Sequence, residues 1–158
     1  MQNKTLMERS SLETGKRMVL FVCTGNTCRS PMAEAVYNKM NASEDTFARS
    51  CGLYVCEREM SKEATEALES IGIYGFEHTP RQIDDELMAR ADLVVGMTAT
   101  HAQRMILAFP QYATKITSMP LEIEDPYGGD AEVYKLCLAQ ICEAVGIGFD
   151  AVDEHEAE

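Results

Sequence analysis

The sequence predicts an α/β fold: a three-layer, doubly wound, four-stranded parallel sheet with helices on both faces. Three observations carry this. Short apolar runs rich in β-branched residues recur along the chain, as at 18–22 (Met-Val-Leu-Phe-Val) and 91–97 with Leu-Val-Val at its centre. They read as strands buried on both faces. Longer stretches with apolar residues at helical spacing lie between them. Strands that alternate with helices imply right-handed crossovers and a parallel sheet. In such sheets ligands bind at the carboxyl ends of strands, near the point where strand order reverses.

The elements follow in order. The first strand is 18–22. A helix over 31–40 places Ala33, Val36, Tyr37 and Met40 on the core side. The second strand, 46–51, alternates polar and apolar residues and ends at Gly52. A helix over 61–71 has Ser61 as cap, Ala64, Ala67, Leu68 and Ile71 as its apolar stripe, and Gly72 as its stop. Residues 78–81 are loop, and 82–90 form a short helix. The third strand is 91–97. A helix over 98–109 is ended by Pro110. The fourth strand is 115–119, followed by a loop over 120–129. Asp130 can cap a last helix to about residue 145, with Val133, Leu136, Cys137 and Ile141 inward. No internal repeat or low-complexity segment interrupts this order.

Composition narrows the function classes. The chain has 158 residues, of which 46% are hydrophobic, which suits one compact domain. That domain is expected over 18–148, after a loose N-terminal extension (1–17) and before an acidic tail (149–158). No apolar run approaches a membrane span and no secretory h-region follows the start, so a cytoplasmic location is expected. The six Cys form no disulfide-framework spacing, which agrees with that compartment. A net charge of −12 argues against nucleic acid or an anionic membrane as partner. No metal site is read from the Cys and His residues, and no cofactor is expected. His78 and His101 read as lone structural or surface residues. Cys51, Cys56, Cys137 and Cys142 read as inert core thiols.

The chemistry concentrates in residues 22–31, Val-Cys-Thr-Gly-Asn-Thr-Cys-Arg-Ser-Pro. Five residues separate Cys23 from Arg29. Ser30 suits a helix cap and Pro31 the first helical position. The local order is therefore strand, tight loop, helix. Backbone N–H groups of such a loop, with the positive end of the helix, converge on an anion. A Cys at the loop's start lies in a field that favours the thiolate, the nucleophilic form. Arg29 offers a bidentate fork for phosphoryl oxygens. Asn26 can adopt left-handed backbone angles and brace the loop with its amide. Nucleophile, anion cradle and charge clamp are the parts of a covalent phosphatase.

This stretch resembles the signature of the low-molecular-weight protein-tyrosine-phosphatase family, Val-Cys-x-Gly-Asn-x-Cys-Arg-Ser-Pro. Every fixed position is present: Val22, Cys23, Gly25, Asn26, Cys28, Arg29, Ser30 and Pro31. The family's late Asp-Pro pair is matched by Asp125-Pro126. The resemblance implies a phosphorylated protein substrate and a phosphocysteine intermediate on Cys23. It implies that Asp125 acts as general acid and then base, and that Ser30 bonds the thiolate. Thr24, Gly25, Asn26, Thr27 and Cys28 would cradle phosphate, and Cys28 would be the redox partner of the nucleophile. Tyr127 is expected at the pocket rim.

Substrate choice turns on Thr27. That position is commonly Ile in the family's tyrosine phosphatases and Thr in the similar bacterial protein-arginine phosphatases. The latter share Cys-Thr-Gly-Asn-Thr-Cys-Arg-Ser-Pro-Met-Ala-Glu, which stands unbroken here from Cys23 to Glu34. An Ile packs well against an aromatic ring, whereas a hydroxyl suits a planar guanidinium. The reading leans to phosphoarginine, with phosphotyrosine as the alternative. A thioredoxin-type arsenate reductase, which shares this loop, and a non-catalytic phosphoanion-binding module are its rivals. The chain departs from the family at Ser50-Cys51-Gly52, where Ser-Ala-Gly is usual, and over 53–60, which has no clear counterpart.

Overall fold

The computed structural model describes residues 15–41 and 43–148. The expected N-terminal extension up to residue 14, and the acidic tail, lie outside the described residues. Ten elements follow in sequence: β1 (Arg17–Cys23), α1 (Arg29–Met40), β2 (Thr46–Gly52), α2 (Lys62–Ser70), α3 (Asp85–Arg90), β3 (Leu93–Gly96), α4 (Ala99–Ala108), a 3₁₀ segment (Pro110–Lys115), β4 (Ile116–Ser118) and α5 (Ala131–Ile147). The four strands form one sheet in the order β2-β1-β3-β4. Every pairing is parallel. The predicted architecture is the one observed.

The alternating faces of β1 explain the three layers. Val19, Phe21 and Cys23 point to one face and pack with Met32 and Val36 of α1, Leu68 of α2 and Tyr134, Leu138 and Ile141 of α5. Met18, Leu20 and Val22 point to the other and pack with Leu87 and Met88 of α3 and Met105 of α4. Leu20, Phe21 and Val22 have no exposed surface. Each such side chain contributes roughly 1.5–3 kcal/mol of burial free energy. The chain leaves β1 toward β2 on one side and returns through β3 on the other. The reversal places a crevice at the carboxyl end of β1.

Several helix assignments shift by a residue or a face. The first helix begins at Arg29, with Cys28 in the cap position and no side-chain cap bond. Ser30 is therefore not the cap; it lies inside the first turn, where its hydroxyl is taken up by the loop. Ser61, Asp84, Thr98 and Asp130 do cap their helices. Residues 82–84 precede α3 rather than belonging to it, and Gln82 instead bridges to Gly52. Met40, Ile71, Val133 and Leu136, expected inward, are exposed. On α5 the buried stripe is Tyr134, Cys137, Leu138, Ile141 and Ala144, displaced around the helix from the expected one. Cys56, expected in the core, is exposed as well. No helix among the described residues is long and apolar enough to cross a membrane.

Candidate active site

The loop between β1 and α1 turns its carbonyls away from the crevice. Cys23 O accepts from Leu53 N–H, Thr24 O from Tyr54 N–H, and Thr27 O from Ser61 N–H, at 2.8 to 2.9 Å. Among the described residues, no backbone N–H from Thr24 to Cys28 donates to a protein acceptor. Those groups, with the uncapped start of α1, form a nest for an anion. Close packing behind the loop requires Gly52. A Cβ there would come within 2.7 Å of Thr24 O and 3.0 Å of Asn26 N.

Asn26 is the brace. It has φ 58°, the one positive φ among the described non-glycine residues. Its side chain is buried and fully used. Nδ2 donates to Ser30 Oγ (2.8 Å) and Ser50 Oγ (3.0 Å), and Oδ1 accepts from Arg81 N–H at 2.9 Å. His78 Nε2 lies 3.0 Å from Oδ1 and 3.1 Å from the Asn26 carbonyl. A backbone carbonyl can only accept, so Nε2 carries a proton. Ser50 in turn donates to Glu34 Oε1 at 2.8 Å, which carries the network to α1. Burial lowers the pKa of His78 and favours its neutral form.

Cys23 ends β1 with its Sγ 2.9 Å from Ser30 Oγ. Asn26 donates to Ser30 Oγ, whose one proton can go to Cys51 O at 3.4 Å or to the sulfur at 2.9 Å, and a thiolate is the nearer and stronger acceptor. Arg29 is buried, and its Nη1 donates to Ile123 O at 3.0 Å. Its Nη2 lies 3.7 Å from Asp125 Oδ2. Asp125 is largely exposed and also starts a turn, its Oδ1 accepting from Tyr127 N–H at 3.1 Å. The Asp-Pro pair is thus a turn starter and a neighbour of the clamp at once.

Beside the loop lies a cavity of about 900 Å³. Thr27, Cys28, Cys56, Arg58 and Tyr127 are among the residues that line it, with Glu57, Glu59 and Glu63 adding negative charge. Residues 56–60, within the stretch unmatched in sequence, are therefore pocket wall. Cys28 Sγ lies 3.6 Å from Thr27 Oγ1 and 3.5 Å from Tyr134 Oη. Burial pushes the Tyr134 hydroxyl up to about 12. Burial likewise raises the Cys51 thiol and pushes Cys137 up to about 12, in keeping with inert thiols.

The structure brings Cys23, Asn26, Ser30, Arg29 and Asp125 together, with Thr24 and Gly25 in the loop and Thr27, Cys28 and Tyr127 along the cavity. Sequence reasoning missed His78, His101, Ser50, Glu34 and Tyr134. His101 is buried, with Nε2 3.0 Å from Thr24 Oγ1. Both His residues do serve the structure, as expected, but each does so against the loop. The sequence signal for this is weak: His101 stands three residues after Thr98, at the third position of a helix, where side chains can cap.

The sequence profile described as "Low molecular weight phosphotyrosine protein phosphatase" matches residues 18–157. A protein-arginine-phosphatase of Bacillus subtilis is 36% identical over 127 residues, covering 74% of this chain and 84% of that protein. A low molecular weight protein-tyrosine-phosphatase of Streptomyces coelicolor is 31% identical over 159 residues, covering 89% of this chain and 95% of that one. Among solved structures, YwlE arginine phosphatase, as a mutant with a phosphorylated active-site serine, superimposes with a TM-score of 0.76 at 33% identity, covering 80% of this chain and 90% of that one. The matched span takes in the loop, the Asp125 turn and every strand of the sheet, and the chain belongs to the low molecular weight phosphotyrosine protein phosphatase family of cysteine-dependent phosphatases.

Proposed function

We propose that the chain removes phosphate from phosphoarginine in proteins through a phosphocysteine on Cys23, in preference to phosphotyrosine. The observation that carries this is Thr27, which lines the cavity beside the loop. Its hydroxyl, 3.6 Å from Cys28 Sγ, gives that wall a polar group, and polar pairing discriminates more strongly than a lost methylene. The negative wall of Glu57, Glu59 and Glu63 suits a cationic guanidinium better than a neutral phenol. Phosphoarginine is what the Bacillus subtilis relative's name gives as its substrate class.

The Cys23 thiolate attacks phosphorus in line and the P–N bond breaks. Asp125, protonated, gives its proton to the departing guanidine nitrogen. Loop N–H groups and Arg29 bear the charge on the equatorial oxygens, and Ser30 holds the sulfur. Water then attacks phosphorus, Asp125 takes its proton, and the S–P bond breaks to return thiolate and phosphate. Phosphotyrosine would follow the same course with a phenolic oxygen as leaving atom. An arsenate reductase would need relay thiols, and the Cys137 thiol is ill suited: its Sγ donates to Glu124 O at 3.6 Å and it ionises only near 12.

The test pairs a phosphoarginine peptide with a phosphotyrosine peptide of the same sequence, using wild type, Cys23→Ser and Thr27→Ile. Expected is faster turnover of phosphoarginine, its loss in Cys23→Ser, and a shift of roughly tenfold or more toward phosphotyrosine in Thr27→Ile. A Cys23-dependent preference for phosphotyrosine, unmoved by Thr27→Ile, would overturn the substrate assignment. Phosphate binding without turnover of either peptide would favour a binding module.

A further inference from the structure

We propose that His101 is a positioning residue of the phosphate loop, holding the Thr24 hydroxyl next to the nucleophile as a hydrogen-bond donor toward bound substrate. The inference rests on the covalent-phosphatase reading and adds a residue to it. The helix cap fixes one side of the ring. Thr98 Oγ1 accepts from His101 N–H at 3.2 Å, and Thr98 N–H donates to His101 Nδ1, also at 3.2 Å. A backbone N–H can only donate, so Nδ1 carries a lone pair. The Thr98 hydroxyl, 2.9 Å from Nδ1, donates to the same lone pair.

The ring's charge follows from its surroundings. His101 is buried, Arg29 and Arg104 oppose a positive imidazole, and Asp125 and Glu122 only partly offset them. Its pKa is lowered to about 4. The neutral ring with a bare Nδ1 has its proton on Nε2. That proton lies toward Thr24 Oγ1 at 3.0 Å. Thr24 therefore accepts from His101, and its own hydroxyl proton is left for a group outside the loop. Thr24 is exposed and adjacent to Cys23, so that group is the substrate's phosphoryl oxygen or leaving atom.

The placement of His101 is enforced by the backbone. Gly96 at the end of β3 lets the first turn of α4 lie against the strand. A Cβ at Gly96 would come within 2.8 Å of Ala102 N and 3.0 Å of His101 Cβ. The imidazole is thus pinned at both nitrogens, one by its own helix and one by the loop. Thr98, His101 and Thr24 form a single chain of oriented donors that ends in the site.

Two substitutions separate this role from capping alone. In His101→Asn the amide oxygen takes the place of Nδ1, which keeps the cap and loses the reach to Thr24. In His101→Gln the amide NH₂ takes the place of Nε2, which keeps a donor for Thr24, and a Gln at this third helical position can also reach back to the Thr98 N–H. Expected is a loss of roughly tenfold in kcat/KM for His101→Asn at near-native thermal stability, with p-nitrophenyl phosphate and a phosphoarginine peptide. His101→Gln, the conservative rescue, recovers turnover to within about threefold of wild type at similar thermal stability. In a Thr24→Val background, His101→Asn costs nothing further.

The reverse pattern, or losses that add in the Thr24→Val background, would overturn the proposal and leave His101 as a helix cap. Absence of Cys23-dependent turnover in the wild type would remove the phosphatase reading instead. Wild type, His101→Asn, Thr24→Val and the double variant would then be compared by calorimetric affinity for inorganic phosphate. There the coupling of His101 to Thr24 must appear in the same order, and equal affinities would sink it.

Discussion

Replacing Asn26 by Ala tests the brace directly. Four side-chain contacts vanish: two from Nδ2 to Ser30 and Ser50, and two at Oδ1 from Arg81 N–H and His78. At about 0.5–1.5 kcal/mol net for each hydrogen bond, the loss is roughly 2–6 kcal/mol. Ala must also hold the left-handed angle that Asn26 takes at φ 58°, which costs about 1 kcal/mol more. A total of about 5 kcal/mol is a large part of a domain's typical stability of roughly 5–15 kcal/mol. For a chain of this size that is a fall of about 10 °C or more in Tm. Asn26→Gly removes the backbone strain but does not restore the lost bonds, so it should recover only the smaller part. The measurement is urea unfolding of the three proteins, with turnover below the transition. Asn26→Ala within about 1 kcal/mol of wild type, with undiminished kcat, would refute the argument that this side chain holds the loop.

Two further outcomes follow from packing and titration. Gly52→Ala places a methyl 2.7 Å from Thr24 O and 2.9 Å from Val55 Cγ2, so the loop backbone must yield. With a displacement of about 1 Å costing roughly 10²-fold in rate, kcat should fall at least about tenfold, which steady-state kinetics would detect. Stability should also depend on pH through His101, whose pKa in the fold, about 4, lies below its ordinary 6.5. The unfolded chain binds that proton more readily, so the contribution is complete above about pH 6.5 and is lost as pH falls toward about 4. His78, also lowered, acts with the same sign. The loss through His101 is of order 2 kcal/mol, read as the difference between wild type and His101→Gln in urea unfolding at about pH 7 and about pH 4.5. Equal pH dependence in the two would contradict it.

The strands and the loop are legible in the sequence because their signals are local. Residues 18–22 form an apolar run at strand length, and Cys23 to Arg29 is a contiguous motif. The bracing residues are not legible, since they meet the loop across long stretches of chain. Ser50 and His78 reach Asn26 over 24 and 52 residues, and His101 reaches Thr24 over 77. Nothing at their own positions announces it. Ser30 departs from expectation for a different reason. Ser before Pro is a sound capping pattern, but the chain enters its helix earlier, at Cys28, and the hydroxyl is claimed by sulfur and amide. On α5, apolar residues ring the helix more widely than the core can cover, so Val133 and Leu136 face outward. Cysteine's habit of burial points Cys56 inward, and the wall in which it stands has no periodic pattern to correct that.

The central strand has a consequence for how the molecule fluctuates and diverges. β1 is hydrogen-bonded to β2 on one side and β3 on the other, so its amide protons are shielded from both edges of the sheet. Such protons exchange with solvent only in the largest openings of a fold, whereas loops exchange through small ones. Cys23 is therefore expected to hang from slowly exchanging backbone, while the exposed stretches 56–59 and 127–128 are expected to exchange faster. On that expectation the reacting sulfur keeps its place while the pocket wall around it opens more readily. Substitutions can accumulate in that wall and alter which phosphorylated side chain is admitted, while the chemistry stays anchored where change is least tolerated.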